Sequence, residues 1–223
     1  MVGGLVLSGI LLGAASPVAA QVPPPPVLPA RPPESVPAQT PVADLQPSAV
    51  GHPVLASAAV PGAAPPLLVY PLPEPAVEVD AYGWRWSDSR QAWRMHAGHD
   101  LIAPEGTPAL AMAAGQVVLV EEIDGYGLTV LLDHGGGWQS LYAHLLDASV
   151  RLGDRLPVGA PIGRVGQSGR ATTAHLHVEV RQRFLPGQAE GWVVVAVDPA
   201  PLLAGALQRR PLQQAQSLSL ASP

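Results

Sequence analysis

Proline sets the first limit on what this chain can fold into. Of its 223 residues 27 are proline, and they crowd toward the N-terminal half. From Gln21 to about Pro75 the sequence is largely Pro, Ala and Val, with PPPP at 23–26 and single prolines recurring after it. Proline lacks an amide hydrogen and fixes φ, so this stretch sustains neither a helix interior nor a sheet ladder. Residues 21–76 read as a semi-rigid, disordered spacer rich in polyproline II. What remains is enough for one domain, expected at 77–200. His52 falls in the spacer with no acidic or histidine neighbour and is set aside as a ligand.

The ends have their own character. Residues 1–20, MVGGLVLSGILLGAASPVAA, form an apolar run with small residues, Val18 and Ala20, at the −3 and −1 positions for cleavage before Gln21. No Arg or Lys precedes the run, so the terminal amine supplies its only positive charge. Gly3, Gly4, Gly9, Gly13 and Pro17 weaken a spanning helix, which needs about 20 apolar residues. A cleaved secretory signal is favoured over an anchor, leaving no stable membrane span. The tail, 201–223, is Leu, Gln and Ser with little charge pattern, and reads as a weak final helix or a frayed end.

Composition removes several chemistries. A formal charge of −5 with 13% charged residues leaves no basic patch for nucleic acid. All 12 basic residues are Arg, so Schiff-base chemistry and lipoyl or biotinyl attachment have no lysine to use. There is no cysteine, which excludes disulfides, thiol nucleophiles and thiolate ligands. Any metal set must come from nitrogen and oxygen.

After Asp100 the period is that of strands. Residues 115–123, 127–134, 138–144, 160–166, 175–181 and 192–197 are short β-branched runs bounded by turns such as Asp124-Gly125, Gly135-Gly136-Gly137 and Ser168-Gly169. Without amphipathic helices between them, they predict a single, mainly antiparallel β-domain. Tyr82, Trp84, Trp86 and Trp93 precede these strands. Such rings suit an extended peptide or sugar, but packing against one end of the core is the preferred reading.

Six of the seven histidines lie between His96 and His177. Strand alternation puts His175 and His177 on one face, with Leu176, Val178 and Val180 facing the core. The same alternation puts Tyr142 and His144 on one face, with Leu141 and Ala143 opposite. His96 and Asp100 sit four apart across a bend at Gly98. A catalytic zinc takes three protein ligands of His or carboxylate type. Five polar residues exceed that number, so two imidazoles are left for proton transfer and charge stabilisation.

These residues carry a resemblance. His96 to Asp100, Tyr142-Ala143-His144 and His175-Leu176-His177 resemble, in order, the three motifs of the lysostaphin and LytM type zinc metallopeptidases, the M23 family of peptidoglycan endopeptidases. Supporting runs are 103–111, 124–127, 150–166 and 169–180, and the resemblance covers roughly 80–199. It implies the antiparallel β-domain of that family, a Zn2+ ion held by His96, Asp100 and His177, and a catalytic pair, His144 and His175. It implies a secreted endopeptidase of the periplasm or cell envelope acting on peptidoglycan peptides. The spacer lies outside the resemblance and is open to an envelope protein partner.

Three rivals are weighed against it. The run GDRLPVGAPIG (153–163) looks like a biotinyl or lipoyl carrier hairpin, but no lysine exists to load. A cupin-like barrel also uses His-x-His, with a different order of later ligands. A non-catalytic LytM-like regulator that activates a cell-wall amidase is opposed by the complete set of five residues. Of the other histidines, His99 is expected to turn away from the metal and His134 to serve a turn or support role. Glu179 either orients a ligating imidazole or forms a surface salt bridge, and Asp133 and Asp154 look like turn residues.

Overall fold

The computed structural model describes residues 64–184 and 193–220. The expected signal, most of the expected spacer and His52 lie outside the described residues. Twelve strands and one helix are described: β1 Glu78–Asp80, β2 Gly83–Ser87, β3 Ala92–His96, β4 His99–Ile102, β5 Pro108–Leu110, β6 Gly115–Ile123, β7 Gly127–Gly135, β8 Trp138–Ala148, β9 Arg155–Leu156, β10 Pro161–Val165, β11 His175–Phe184, β12 Val193–Val197 and α1 Ala200–Leu220.

Ten strands form one sheet with the path β1-β4-β11-β8-β7-β6-β9, joined by β12 on β11 and by β10 between β8 and β5. Every pairing in it is antiparallel. The mainly antiparallel β-domain read from the sequence is therefore the observed architecture. Its tight β6–β7 turn has Gly125 at φ 85° and Gly127 at φ 66°, a region costly for residues with a Cβ.

Alternation along β11 decides where the core and the site lie. Leu176, Val178 and Val180 join the main apolar cluster with Val117, Val130, Leu132, Tyr142, Leu145 and Ile162. His175, His177, Glu179 and Arg181 occupy the opposite face, and they too are buried. A strand buried on both faces with four polar residues on one of them must satisfy those residues internally.

The ends of the domain differ from expectation. Leu68, Tyr70 and Leu72 are 2%, 5% and 2% exposed and belong to the main cluster, although they fall inside the stretch read as spacer. Val69 N–H donates to Met112 O at 2.8 Å and Leu110 N–H to Pro71 O at 2.9 Å, so this segment lies along β5 and the residues after it. Prolines at 65, 66, 71 and 73 permit this because an edge segment need not donate at every residue. At the other end the helix resolves the reading of the tail. Asp198 Oδ1 accepts from Ala200 N–H at 2.9 Å, and Leu203 and Ala206 enter the core. Arg209 Nη2 donates to Leu68 O at 2.8 Å, tying helix to N-terminal segment.

The tryptophans also depart from the reading as core caps. β2 and β3 form their own two-stranded sheet, in which Trp86 and Trp93 are directly paired and pack edge to face with centroids 5.9 Å apart. Neither they nor Trp84 joins a core cluster among the described residues.

If residues 68–72 are part of the folded unit, Leu72→Ala will destabilise the protein by about 2–5 kcal/mol, the range for truncating a buried leucine. Urea unfolding followed by circular dichroism measures this. A change within about 0.5 kcal/mol, as for a surface position, would return the segment to the spacer.

Candidate metal centre

β4 and β11 are hydrogen-bonded neighbours, and their register sets Asp100 directly opposite His177. His96 ends β3 and reaches the same place because the chain bends at Ala97-Gly98 on its way into β4. A Cβ at Gly98 would collide with the Val178 carbonyl and lie 2.9 Å from both Glu179 Cγ and His177 Cε1. Glycine is what lets this turn close onto β11.

Three atoms converge there. His177 Nδ1 is 2.7 Å from Asp100 Oδ1, His96 Nε2 is 3.1 Å from Asp100 Oδ1, and His96 Nε2 is 3.2 Å from His177 Nδ1. Each imidazole has an acceptor at its other nitrogen. His96 Nδ1 lies 2.9 Å from Ala81 O, with the Arg85 guanidinium, a donor, also beside it at 2.5 Å, and His177 Nε2 lies 3.1 Å from Glu179 Oε1. With protons assigned to those outer nitrogens, lone pairs of His96, His177 and Asp100 point at one another. Such a cluster needs shared protons or a cation. Ligands 2.0–2.1 Å from a tetrahedral zinc stand about 3.3 Å apart, close to these separations. The set therefore fits a divalent metal in number, chemistry and spacing, and it is the group of three such residues among those described that could hold one.

Behind His177 the polar face continues into the protein. Glu179 is fully buried, which rules out the surface salt bridge. Its Oε1 accepts from His177 and from Tyr126 OH at 2.8 Å, and its Oε2 accepts from Arg181 Nε at 2.6 Å. Burial opposes the charge on Glu179, but Arg181 and His177 outweigh it and hold its pKa down at about 2. Burial likewise opposes a charged His177, yet Asp100 and Glu179 on its two sides raise its pKa to about 9. Asp100 follows the same logic. Its burial favours the neutral acid, while hydrogen bonds from His177 and His96 keep its carboxyl far below the usual range. The ring of Tyr126 stands edge-on to that of His177 with centroids 5.5 Å apart.

The second pair arrives by a different route. His175 shares the face of His177, with Nδ1 2.8 Å from Thr173 O and Nε2 3.6 Å from Asp100 Oδ1. His144 does not share the face of Tyr142, contrary to simple alternation. On β7, Leu128 and Val130 are two apart; their partners on β8, Leu145 and Tyr142, are three apart. β8 thus carries an extra residue here, and His144 has φ 59°. Tyr142 and Leu145 both enter the core, while the bulge turns His144 out. Its ring stands 4.7 Å from His175 and 5.8 Å from His177, centroid to centroid. His144 Nδ1 is 2.9 Å from Ser168 O, and its N–H donates to Tyr126 O at 2.9 Å. Burial, more than any other cause, lowers the pKa of His144 to about 4.

The remaining expectations are placed as follows. His99 Nδ1 accepts from Tyr82 N–H at 3.1 Å and faces away from the cluster. His134 bridges Ala114 O at 2.9 Å and Ser140 Oγ at 2.7 Å, supporting β6 and β8. Asp154 accepts from Arg151 N–H at 2.8 Å, as a turn residue does, whereas Asp133 is no turn residue: it is buried within β7, paired with Gln116 and Gln139, and its Oδ1 accepts from Gly135 N–H at 2.8 Å. Sequence reasoning missed Tyr126, Ser168 and Arg181. The period of two placed Arg181 on the face of His177 and Glu179; nothing local in the sequence marks Tyr126 or Ser168.

Comparison with known proteins bears on this arrangement. Residues 94–194 match the model of Peptidase family M23, a span that contains all five residues of the cluster. The chain is 40% identical over 122 residues to the DD-carboxypeptidase/endopeptidase Mpg of Neisseria meningitidis, covering 55% of this chain and 27% of that one. It is 36% identical over 119 residues to the murein hydrolase activator EnvC of Escherichia coli, covering 53% and 26%. It therefore spans about a quarter of the length of these curated relatives. A zinc containing peptidase from Vibrio cholerae has the same fold, with a TM-score of 0.51 at 24% identity over 62% of this chain and 40% of that one. The likeness to peptidase family M23 thus covers residues 94–194, somewhat under half of the chain, and includes the whole cluster.

Proposed function

We propose that this protein is a zinc metalloendopeptidase that hydrolyses peptide bonds in the stem or cross-bridge peptides of peptidoglycan. The observation that carries the reading is the convergence of His96 Nε2, Asp100 Oδ1 and His177 Nδ1 within 3.2 Å of one another, with two further imidazoles beside them. In this reading His96, Asp100 and His177 hold Zn2+. A zinc ion polarises a peptide carbonyl and acidifies water, which is the chemistry that amide hydrolysis needs.

The chain's own residues supply the rest. His144 and His175 each have Nδ1 against a backbone carbonyl, which leaves Nε2 free toward the cluster. The low pKa of His144 keeps it neutral at pH 7, able to accept a proton from the attacking water. His175, closer to Asp100, can donate from Nε2 to the oxygen on which negative charge develops only as the imidazolium, its Nδ1–H being given to Thr173 O. Either imidazole is a candidate for the base. Glu179, fixed by Tyr126 and Arg181, holds the tautomer and direction of His177.

The proposed layout is a signal at 1–20, a Pro-rich spacer that ends before Leu68, the peptidase domain, and the C-terminal helix as its last element. Peptidoglycan-acting relatives support action in the cell envelope, periplasmic or secreted. The match to EnvC favours one second reading: a regulator of the same fold that activates a cell-wall amidase. The complete set of five residues weighs against it.

Zymography on purified cell walls tests the activity. Wild type will lyse them, and His175→Ala and His177→Ala will each lose at least about 100-fold, as expected for removing a proton-transfer group or a metal ligand. Metal analysis separates the two, since only His177→Ala will lose zinc. Equal lysis by all three would discard the mechanism. No lysis by any, with amidase stimulation, would establish the regulator.

Zinc uptake has a predicted pH dependence. With a pKa of about 9, metal-free His177 is protonated below that pH, and a metal needs its neutral form. Binding will therefore release about one proton near pH 7.5, and apparent affinity will rise about tenfold per pH unit until about pH 9, then level off. Titration calorimetry in buffers of different ionisation enthalpy reads the proton count. No release at pH 7.5 would show that His177 is already neutral in the metal-free protein at that pH.

A further inference from the structure

The irregular stretch of the β7–β8 ladder is bridged by a residue that belongs to neither strand. Leu128 and Leu145 are partners there, and the register slips between Leu128 and Val130 by the extra residue of β8. Ser168 Oγ accepts from Leu128 N–H at 3.0 Å and donates to Leu145 O at 2.8 Å. A hydroxyl both accepts and donates, so it can join a backbone donor on one strand to a backbone acceptor on the next. The carbonyl of the same residue lies 2.9 Å from His144 Nδ1. A carbonyl only accepts, so this contact holds the imidazole proton on Nδ1 and leaves the lone pair on Nε2.

The loop that carries Ser168 is fitted closely to the β6–β7 turn. A Cβ on Gly127 would lie 2.4 Å from Ser168 Oγ, and one on Gly169 would lie 2.4 Å from Gly127 N. Arg170 N–H donates to Gly125 O at 3.0 Å, and Arg170 Nη2 donates to Asp124 Oδ2 at 2.7 Å. At the start of the loop Gly166 O accepts from His175 N–H at 3.3 Å. Residues 166–170 thus hold the backbone of His175 and the ring of His144. Among the described residues Ser168 makes no hydrogen bond to His96, Asp100 or His177, so any effect it has on the cluster passes through His144.

We propose that Ser168 is a positioning residue for the hydrolysis: its hydroxyl keeps the bulge that turns His144 out, and its carbonyl fixes the tautomer that presents Nε2 to the cluster. The consequence for turnover rests on the peptidase reading. The consequence for the tautomer does not.

Wild type, Ser168→Ala and Ser168→Thr are compared as zinc-loaded full chains on a soluble peptidoglycan peptide. Ser168→Ala will keep its zinc and hold KM within about twofold, while kcat falls on the order of 100-fold, as expected when a proton-transfer group is misplaced. Ser168→Thr keeps the hydroxyl and will restore most of kcat. NMR of nitrogen-labelled protein reads the tautomer directly, with His144→Gln identifying the signal. Wild type will carry the His144 proton on Nδ1, and Ser168→Ala will move part of it to Nε2. A wild-type proton on Nε2 would overturn the proposal whether or not the variants fold. So would an unchanged kcat in Ser168→Ala, or a loss there that Ser168→Thr fails to restore, because the serine would then serve the fold alone. Absence of turnover in every form, with the tautomer change intact, would defeat the peptidase reading and leave the placement of His144 by Ser168 standing.

Discussion

The imidazole of His177 is gripped between two carboxylates, and most of the architecture around the site serves that contact. Asp100 faces one nitrogen and Glu179 the other. Three charged or chargeable groups packed this closely inside a protein would be prohibitive without mutual compensation. Arg181, 1% exposed, completes the series behind Glu179. A positive charge in the Asp100 region, proton or metal, gives the arrangement its alternation of sign from the site inward. This is why β11 can bury its polar face as fully as its apolar one.

Position on neighbouring strands turns that series into a cluster. The β4–β11 register brings Asp100 opposite His177, and Gly98 lets the bend after His96 pack closely against the same strand. On the other edge of β11, β8 would have delivered His144 into the core if it had been regular. The extra residue there, with its left-handed backbone, costs on the order of 1–3 kcal/mol. It is offset by the bonds from His144 to Tyr126 O and Ser168 O and by the packing of Leu145 in the place that alternation would assign to His144. Tyr126 thus touches both halves of the site, through its hydroxyl to Glu179 and through its carbonyl to His144.

The N-terminal segment and the C-terminal helix both pack into the main apolar cluster. Leu68, Tyr70 and Leu72 are tied to α1 through Arg209. Proline content announced an unstructured spacer because it counts missing donors; it does not register the apolar residues between the prolines, which packing uses.

The sequence by itself determined the strand period and the nitrogen and oxygen character of any metal set, and it marked five residues from which such a set could be drawn. His96, Asp100, His175 and His177 were legible because they sit at fixed short spacings, where backbone geometry alone dictates which side chains share a face. Glu179 was legible as a candidate and ambiguous as to burial. Only the tertiary structure decided that His144 leaves the face of Tyr142, that Tyr126, Ser168 and Arg181 support the imidazoles, that residues 68–72 belong to the core, and that the tryptophans stand on a separate hairpin. Each of these depends on contacts between segments distant in the chain or on one inserted residue, and a local period carries no information about either.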